Sequence, residues 1–420
     1  MLRNIVYIFK NQQNTNLLVY GIGQFFNLVT PILVVPYIVS VCSEEGYGKI
    51  GVGLAVSFFM MVFIDYGSDI LGVKEVSVNR DNIKALEKIF ITIYSAKLFL
   101  LFLVLILVSI IFITVPYFSQ EKKLFFWGLP ILIGQFLNPT WFLQGIENFK
   151  WITISNIASK VVYVVAIFGF IHNPSDYVYN NLFWGLGMII ANGFFFICLL
   201  KQYSFSFQKT KMADVTAYLK TNFSMFSSQI FVSLQMYFPI VLVSYFGNNT
   251  MAGQFKIIDQ IIVIFKTYLL LFFNFVYPRV CFLLGKNTRE ALSFWKIYNG
   301  LNTVFIIISL GIIGLFSNKI VGYFNPKGVI EISNLLKIAV LIPIAQSITI
   351  PLKQLVLGCN KQNEYVRTTM LIAVTSLTTI AIITPFYSVL GVLLSLIFTE
   401  VITAAMYYRI IKRDLFVRTS

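Results

Sequence analysis

The chain has 420 residues, 58% of them hydrophobic and only 12% charged, with a formal net charge of +15 at pH 7. A soluble domain carries about twice that share of charge, so a soluble globular fold is excluded. The basic excess does not mark a nucleic-acid binder, because Lys and Arg sit mostly in short connections between long apolar runs.

Runs of about 20 apolar residues are long enough to cross a bilayer. In chain order the hydropathy predicts twelve spans, over residues 17–41, 50–73, 89–115, 124–143, 151–171, 178–200, 223–246, 251–282, 297–316, 335–357, 367–384 and 388–408. The fold class is therefore an all-α polytopic membrane protein. Residues 1–16 are polar, and the apolar segment after them is too long for the core of a cleavable signal peptide. The widest connection, 201–222, is too short for a folded soluble domain. It separates an N-terminal six-helix lobe (1–200) from a C-terminal one (223–420), and is itself expected to be a cytoplasmic linker.

Lys and Arg collect on the cytoplasmic side of membrane proteins. With the N-terminus inside, 21 of the 32 fall in inner segments, in groups beginning at Arg3, Lys74, Lys150, Lys201, Arg279, Lys361 and Arg409. Six fall outside, namely Lys49, Lys122, Lys123, Lys319, Lys327 and Lys337. Both termini are expected in the cytoplasm. Two halves are also suggested by a faint repeat: Gln24 matches Gln229 and Gly48 matches Gly253 at one common offset. Pro31, Pro36, Pro130, Pro139, Pro239, Pro343 and Pro351 fall inside spans, as tolerated residues or as hinges.

Ionisable side chains in hydrocarbon are costly and mark either function or a compensating partner. Lys256, Asp259, Gln260, Val263 and Lys266 share one face of span 8. A Lys256–Asp259 pair with a snorkelling Lys266 is one reading. A water-lined face is the other, favoured because Lys266 lies roughly 18 Å from the inner end. Asn156, Lys160 and Tyr163 share a face of span 5, with Lys160 about 14 Å deep. Asp65 and Lys97 lie at matching depths of roughly 12–13 Å on adjacent spans, which predicts a structural ion pair. Glu400 is deep in span 12 with no evident partner, and Lys353 snorkels near an inner end. The lumen is thus read as cationic and suited to an anionic substrate bearing phosphate, pyrophosphate or acidic sugars. Substrate-binding candidates are Lys160, Lys256, Lys266, Gln24, Asn138 and Gln229, with Asn27, Gln235, Trp141 and Tyr237 placed by guess as sugar-meeting groups. Asp259 and Glu400 are the candidate ion-coupling residues. A lone His172 and four unpaired cysteines (Cys42, Cys198, Cys281 and Cys359) predict no metal site. No GxxxxGK[ST] loop is present, so ATP is not expected as direct driver. No cofactor is expected beyond a coupling H+ or Na+, with passive exchange as the alternative.

Several stretches resemble the polysaccharide-unit flippases called Wzx, in the multidrug/oligosaccharidyl-lipid/polysaccharide exporter superfamily. They are Gln24 through Pro31, Pro36 and Tyr37 to Glu45-Gly46-Tyr47-Gly48; Asp65-Tyr66-Gly67 with Lys74-Glu75-Val76 and Asn79-Arg80-Asp81; and Pro351-Leu352-Lys353-Gln354 with Gly358. The most specific runs from Asn138-Pro139-Thr140-Trp141-Phe142-Leu143 through Gln144-Gly145-Ile146-Glu147 to Lys150. The resemblance implies two six-helix lobes around a central cavity. It implies alternating access that moves undecaprenyl-pyrophosphate-linked oligosaccharide (O-antigen or a related surface polysaccharide) from the inner to the outer leaflet of the bacterial cytoplasmic membrane. It further implies as partners the lipid-linked substrate, membrane lipids, and the polymerase and chain-length proteins of the same pathway, with no nucleic acid. A drug/cation antiporter of the same superfamily is the nearer alternative, and its cationic substrates would be repelled by this lumen. A membrane-embedded polymerase or ligase is the other. It needs a large outer loop carrying Arg or His, and the longest here, about 317–334, has only Lys319, Lys327 and Glu331 as charges. The chain is read as a transporter, not an enzyme.

Overall fold

No water reaches the core of a bilayer, so each backbone N–H and C=O of a crossing must be satisfied within its own helix. The computed structural model describes residues 12–205, 211–359 and 361–412, and among these the regular elements are helical with no strand. Of the charge groups counted above, Arg3, Lys10, Lys209, Arg413 and Arg418 lie outside the described residues.

The helices in order are α1 (Gln12–Asp65), α2 (Val73–Val78), α3 (Ile83–Thr114), α4 (Pro116–Ser119), α5 (Lys122–Phe126), α6 (Leu129–Phe136), α7 (Thr140–Gly145) and α8 (Phe149–Phe170). They continue with α9 (Asn180–Tyr203), α10 (Met212–Phe246), α11 (Asn249–Leu284), α12 (Thr288–Leu315), α13 (Ser317–Gly322), α14 (Val329–Ala339), α15 (Leu341–Gly358) and α16 (Gln362–Ile411). Four long helices begin on an Asn whose side chain accepts from the first-turn backbone: Asn82 before α3, Asn148 before α8, Asn248 before α11 and Asn287 before α12. Such a cap satisfies donors that have no partner inside the helix.

Length and apolarity give nine candidate crossings among the described residues, not the twelve expected. Two features bear on the difference. The apolar part of α1 (45 residues) and the whole of α16 (50 residues) are each about twice the length of one crossing. Each is interrupted by a single non-helical residue, Ser43 (φ 64°) in α1 and Ser388 (φ 49°) in α16. Pro385, which lacks a backbone N–H, lies just before the second break. The expected span 124–143 is the other feature. It is broken into α5, α6 and α7, with Pro130 in the first turn of α6 and Pro139 immediately before α7. Proline fits a helix start but cannot continue one. Expected span 50–73 likewise ends at Asp65. There Tyr66 (φ 45°) and Gly67 (φ 81°) enter the left-handed region, and a π-helical turn, Ser68–Gly72, follows.

The chain divides into two compact units: residues 1–42 with 52–233, and residues 43–51 with 234–420. The first is built on an aromatic core in which Phe90 packs on Tyr94, Trp141, Phe142 and Phe205. In the second, Val276, Val280, Leu355, Val356, Tyr407 and Ile411 form one buried cluster.

Residues 43–51 belong to the second unit because backbone meets backbone there. A Cβ on Gly48 would run into the Asn249 carbonyl and lie 2.7 Å from Gly253 N; a Cβ on Gly253 would run into the Glu44 carbonyl. Only glycine permits that approach. The buried Glu44 carboxylate also accepts from Gly328 N–H at 3.0 Å, at the start of α14.

Candidate functional site

Acids and bases set deep in the helices fall into separate clusters. In the first unit, Asp65 closes the apolar part of α1. Its Oδ1 takes Lys97 Nζ of α3 at 3.0 Å, and its Oδ2 takes Gln135 Nε2 of α6 at 2.7 Å. Asn138 extends the chain, donating to Gln135 Oε1 at 3.3 Å while its own Oδ1 accepts from Thr140 N and Oγ1. Asn138 therefore sits within this network, two residues before the start of α7. Lys97 is 2% exposed and Asp65 18%, so the charges are balanced and largely sealed.

In the second unit, α11 carries Lys256, Asp259 and Lys266 along one face. Asp259 lies 3.6 Å from Lys256 Nζ and 3.5 Å from Lys266 Nζ, one lysine on each carboxylate oxygen. Lys266 thus turns back two helical turns to the acid and does not snorkel. The three side chains are 27%, 30% and 34% exposed in that order. Two cations share one anion, leaving a net charge of +1 in a partly open setting. Glu400 of α16 has the partner that its sequence context did not reveal: Gln346 of α15 donates to its Oε1 at 2.9 Å.

Lys160 of α8 is different again. Among the described residues no carboxylate pairs with it, and its ammonium lies 3.5 Å over the Trp184 ring of α9. Ile154, Val161, Val165 and Phe168 form the exposed face of α8, and at 100° per residue Lys160 falls outside that stripe.

The remaining residues singled out above are placed as follows. Gln229 Nε2 donates to both Asp69 oxygens, at 2.8 and 3.0 Å. The side chain of Gln24 lies outside the described part of the structure. Trp141 is corrected from the sugar-meeting group: it is 3% exposed and packed on Phe90 and Tyr94. Lys353 lies between the Phe273 and Tyr365 rings, at 5.5 and 4.9 Å. A groove of about 500 Å³ at the start of α3 holds Lys84, Lys88 and Lys211, with Glu87 and Asp214. Glu75 lines the adjoining cavity with Lys88 and Asp214; burial raises its carboxyl above the ordinary range. Taken together, the groove and the adjoining cavity hold three bases and three acids.

Sequence reasoning missed Gln135, Gln346, Asp69 and Trp184. Gln135 had a signal, lying three residues before Asn138 in the same segment. The other three meet their partners across helices, where a single sequence carries no register.

Comparison with known proteins bears on the same regions. Two relatives match nearly end to end. A protein named "Putative O-antigen transporter" from Escherichia coli K12 is 20% identical over 95% of this chain and 96% of its own length. A second of that name, from Shigella dysenteriae, is 23% identical over 98% of this chain and 100% of its own. Among solved structures, the lipid II flippase MurJ in an inward closed conformation superposes with a TM-score of 0.73 at 14% identity, over 95% of this chain and 89% of that one. An outward-facing MATE family multidrug transporter of the MOP superfamily gives 0.63 at 13% identity, over 97% and 96%. At these identities the structures show the fold alone, a multi-pass helical fold that this chain shares with them. The model of the family described as "Polysaccharide biosynthesis protein" matches residues 14–281, well over half of the sequence, and the chain belongs to that family.

Proposed function

We propose that this protein is a flippase. It moves undecaprenyl-pyrophosphate-linked oligosaccharide units, of O-antigen or a related surface polysaccharide, from the inner to the outer leaflet of the bacterial cytoplasmic membrane by alternating access. The chain crosses the membrane twelve times, counting α1 and α16 as two crossings each and α5–α7 as one, with both termini and the 201–222 linker in the cytoplasm. Two end-to-end relatives named as O-antigen transporters support the substrate class. The likeness to a lipid II flippase supports a lipid-linked cargo over a free drug.

The observation that carries the reading is the Lys256–Asp259–Lys266 cluster. A lysine at the bilayer centre costs about 2.5–3.5 kcal/mol even by the lower scales, and this cluster leaves one such charge uncompensated. A polyanionic headgroup compensates it during part of the cycle and gives the selection needed: Lys256 and Lys266 hold the pyrophosphate as point charges, and Asp259 keeps them apart and poised. Lys160 supplies a further cation in the first unit.

Transport is driven by an ion gradient exchanged at Asp259 or Glu400, the acids placed beside the second unit's lysines and amide donor. Passive exchange pulled by downstream polymerisation is the competing mode. The decisive experiment is leaflet assignment of lipid-linked oligosaccharide in cells lacking the protein. Accumulation in the inner leaflet with continued synthesis is expected, and accumulation facing outward overturns the reading. In liposomes, flipping rates indifferent to imposed proton and sodium gradients, in wild type and in Asp259→Asn and Glu400→Gln alike, leave the passive mode standing.

A further inference from the structure

Lys97 is buried and Lys160, Lys256 and Lys266 are half-buried among the helices, and the four differ in what neutralises them. Lys97 has its own carboxylate, and Lys256 and Lys266 share one. Lys160 has the indole face of Trp184. An aromatic face attracts a cation without cancelling its charge, so Lys160 has no counter-charge among the described residues.

The indole is held in place independently of that lysine. Trp184 meets Phe58 of α1 at 5.6 Å between centroids and Tyr163 of α8 at 5.0 Å, edge to face. Tyr163 is fixed in turn by its hydroxyl, which donates to Asn180 Oδ1 at 3.0 Å. Asn180 Nδ2 donates on to Asn181 Oδ1 at 3.1 Å. Asn180 and Asn181 are fully buried and Tyr163 nearly so. The ring is therefore rigid, while the ammonium covering its face rides on a flexible four-carbon stem. Of the two, the lysine is the part that can leave.

The geometry points to Lys160 and Trp184 as a paired headgroup subsite, in which a phosphate draws the ammonium off the ring and the uncovered indole then stacks on the first sugar attached to that phosphate. This rests on the flippase reading and deepens it by naming where the phosphate–sugar junction is held. The exchange runs in the right direction, because a charge-assisted hydrogen bond to phosphate is stronger than a cation–π contact. It also makes recognition ordered: the stacking surface exists only after a phosphate has engaged Lys160. A sugar without a phosphate finds the ring covered.

The test uses the full-length protein in nanodiscs with two probes, farnesyl pyrophosphate and farnesyl pyrophosphate carrying one N-acetylglucosamine. Wild type is expected to favour the glycosylated probe by about threefold to tenfold, the scale of one aromatic contact. Lys160→Ala is expected to weaken both probes by about tenfold or more. Trp184→Leu is expected to bind the bare probe as well as wild type or tighter, since the ring no longer competes for the ammonium, and to lose the preference for the sugar. Trp184→Phe keeps a ring and most of the preference, guarding against a folding defect in the leucine variant. Equal weakening of both probes by Trp184→Leu with Phe tolerated makes Trp184 a structural support and overturns the subsite. Wild-type affinities in both Lys160→Ala and Trp184→Leu overturn it as well, while leaving the flippase reading intact. Failure of wild type to bind either probe removes that reading and the subsite together.

Discussion

The Asp65–Lys97 network of the first unit and the Lys256–Asp259–Lys266 cluster of the second use the same two residue types to opposite ends. In the first, one base meets one acid at 3.0 Å, a glutamine amide takes the second carboxylate oxygen, and the lysine is 2% exposed. In the second, one acid is divided between two bases at 3.5 and 3.6 Å, with every member about a third exposed. Charge balance and hydrogen-bond closure decide the role. A closed, balanced pair is a fastener whose value appears when one partner is removed. An open, unbalanced cluster stabilises little and retains the capacity to bind an anion.

The largest effect that can break this contrast is expected at Lys97. Lys97→Ala leaves Asp65 deep in the unit without its counter-charge and should destabilise by about 3–5 kcal/mol. Lys97→Met with Asp65→Asn removes both charges and should recover much of that loss. Thermal unfolding in detergent measures both. A Lys97→Ala protein that melts like wild type shows that water or another cation already serves Asp65.

Next in size is Gly253→Ala. The added methyl meets the Glu44 backbone carbonyl, which cannot swing aside as a side chain would. Overpacking of this kind costs about 1–3 kcal/mol, and backbone against backbone belongs at the upper end. Gly300→Ala is the control, because a Cβ there meets nothing within 4 Å. Equal melting of the two variants refutes the close crossing.

Lys256→Ala and Lys266→Ala should sharpen the contrast from the other side. Each leaves Asp259 one remaining lysine, so the expected loss of stability is about 1 kcal/mol or less. Export should nevertheless fall by about tenfold, the worth of one charge-assisted contact to the cargo. Surface polysaccharide per copy of protein is the readout. Normal export in a stably expressed Lys160, Lys256 and Lys266 triple alanine variant ends the cationic-site reading.

How far such contrasts are legible in sequence depends on whether the contact is local. Lys256, Asp259 and Lys266 lie on one helix, so helical periodicity alone set them on one face. The apolar runs announced a polytopic α-helical chain for the same reason: helix hydrogen bonding in a bilayer is satisfied within each segment. Where continuity depends on one residue, hydropathy gave little. It carried span 124–143 through Pro130 and Pro139, whereas its gap at 42–49 does take in the non-helical Ser43 that interrupts α1. Contacts between helices were legible only where depth served as a proxy for register, as with Asp65 and Lys97. Depth could not find Trp184 under Lys160, nor Asp69 beneath Gln229, because an aromatic face and an amide leave no charge complement to look for.

The smallest expected effect gives the sharpest form of the comparison. Double-mutant cycles isolate the coupling between two side chains from the cost of truncating each. For Lys97 and Asp65, short and sealed, the coupling should reach about 2 kcal/mol or more, because a buried charged hydrogen bond is lost. For Lys256 with Asp259, and for Lys266 with Asp259, it should lie at about 0.2–1 kcal/mol, the range of solvent-accessible pairs. Both distances are long for a charged hydrogen bond, and each lysine competes with the other for the same carboxylate, so removing one should strengthen the remaining pair. The cycle for Lys266 and Asp259 repeated in a Lys256→Ala background should therefore give a larger coupling than in wild type. That increase is the signature of one acid shared by two bases. An unchanged coupling means that the two lysines do not compete and that the residual positive charge is neutralised elsewhere. A coupling near 2 kcal/mol for either lysine in wild type makes the cluster a second fastener like the one at Asp65, and its role in holding the pyrophosphate then has no physical basis.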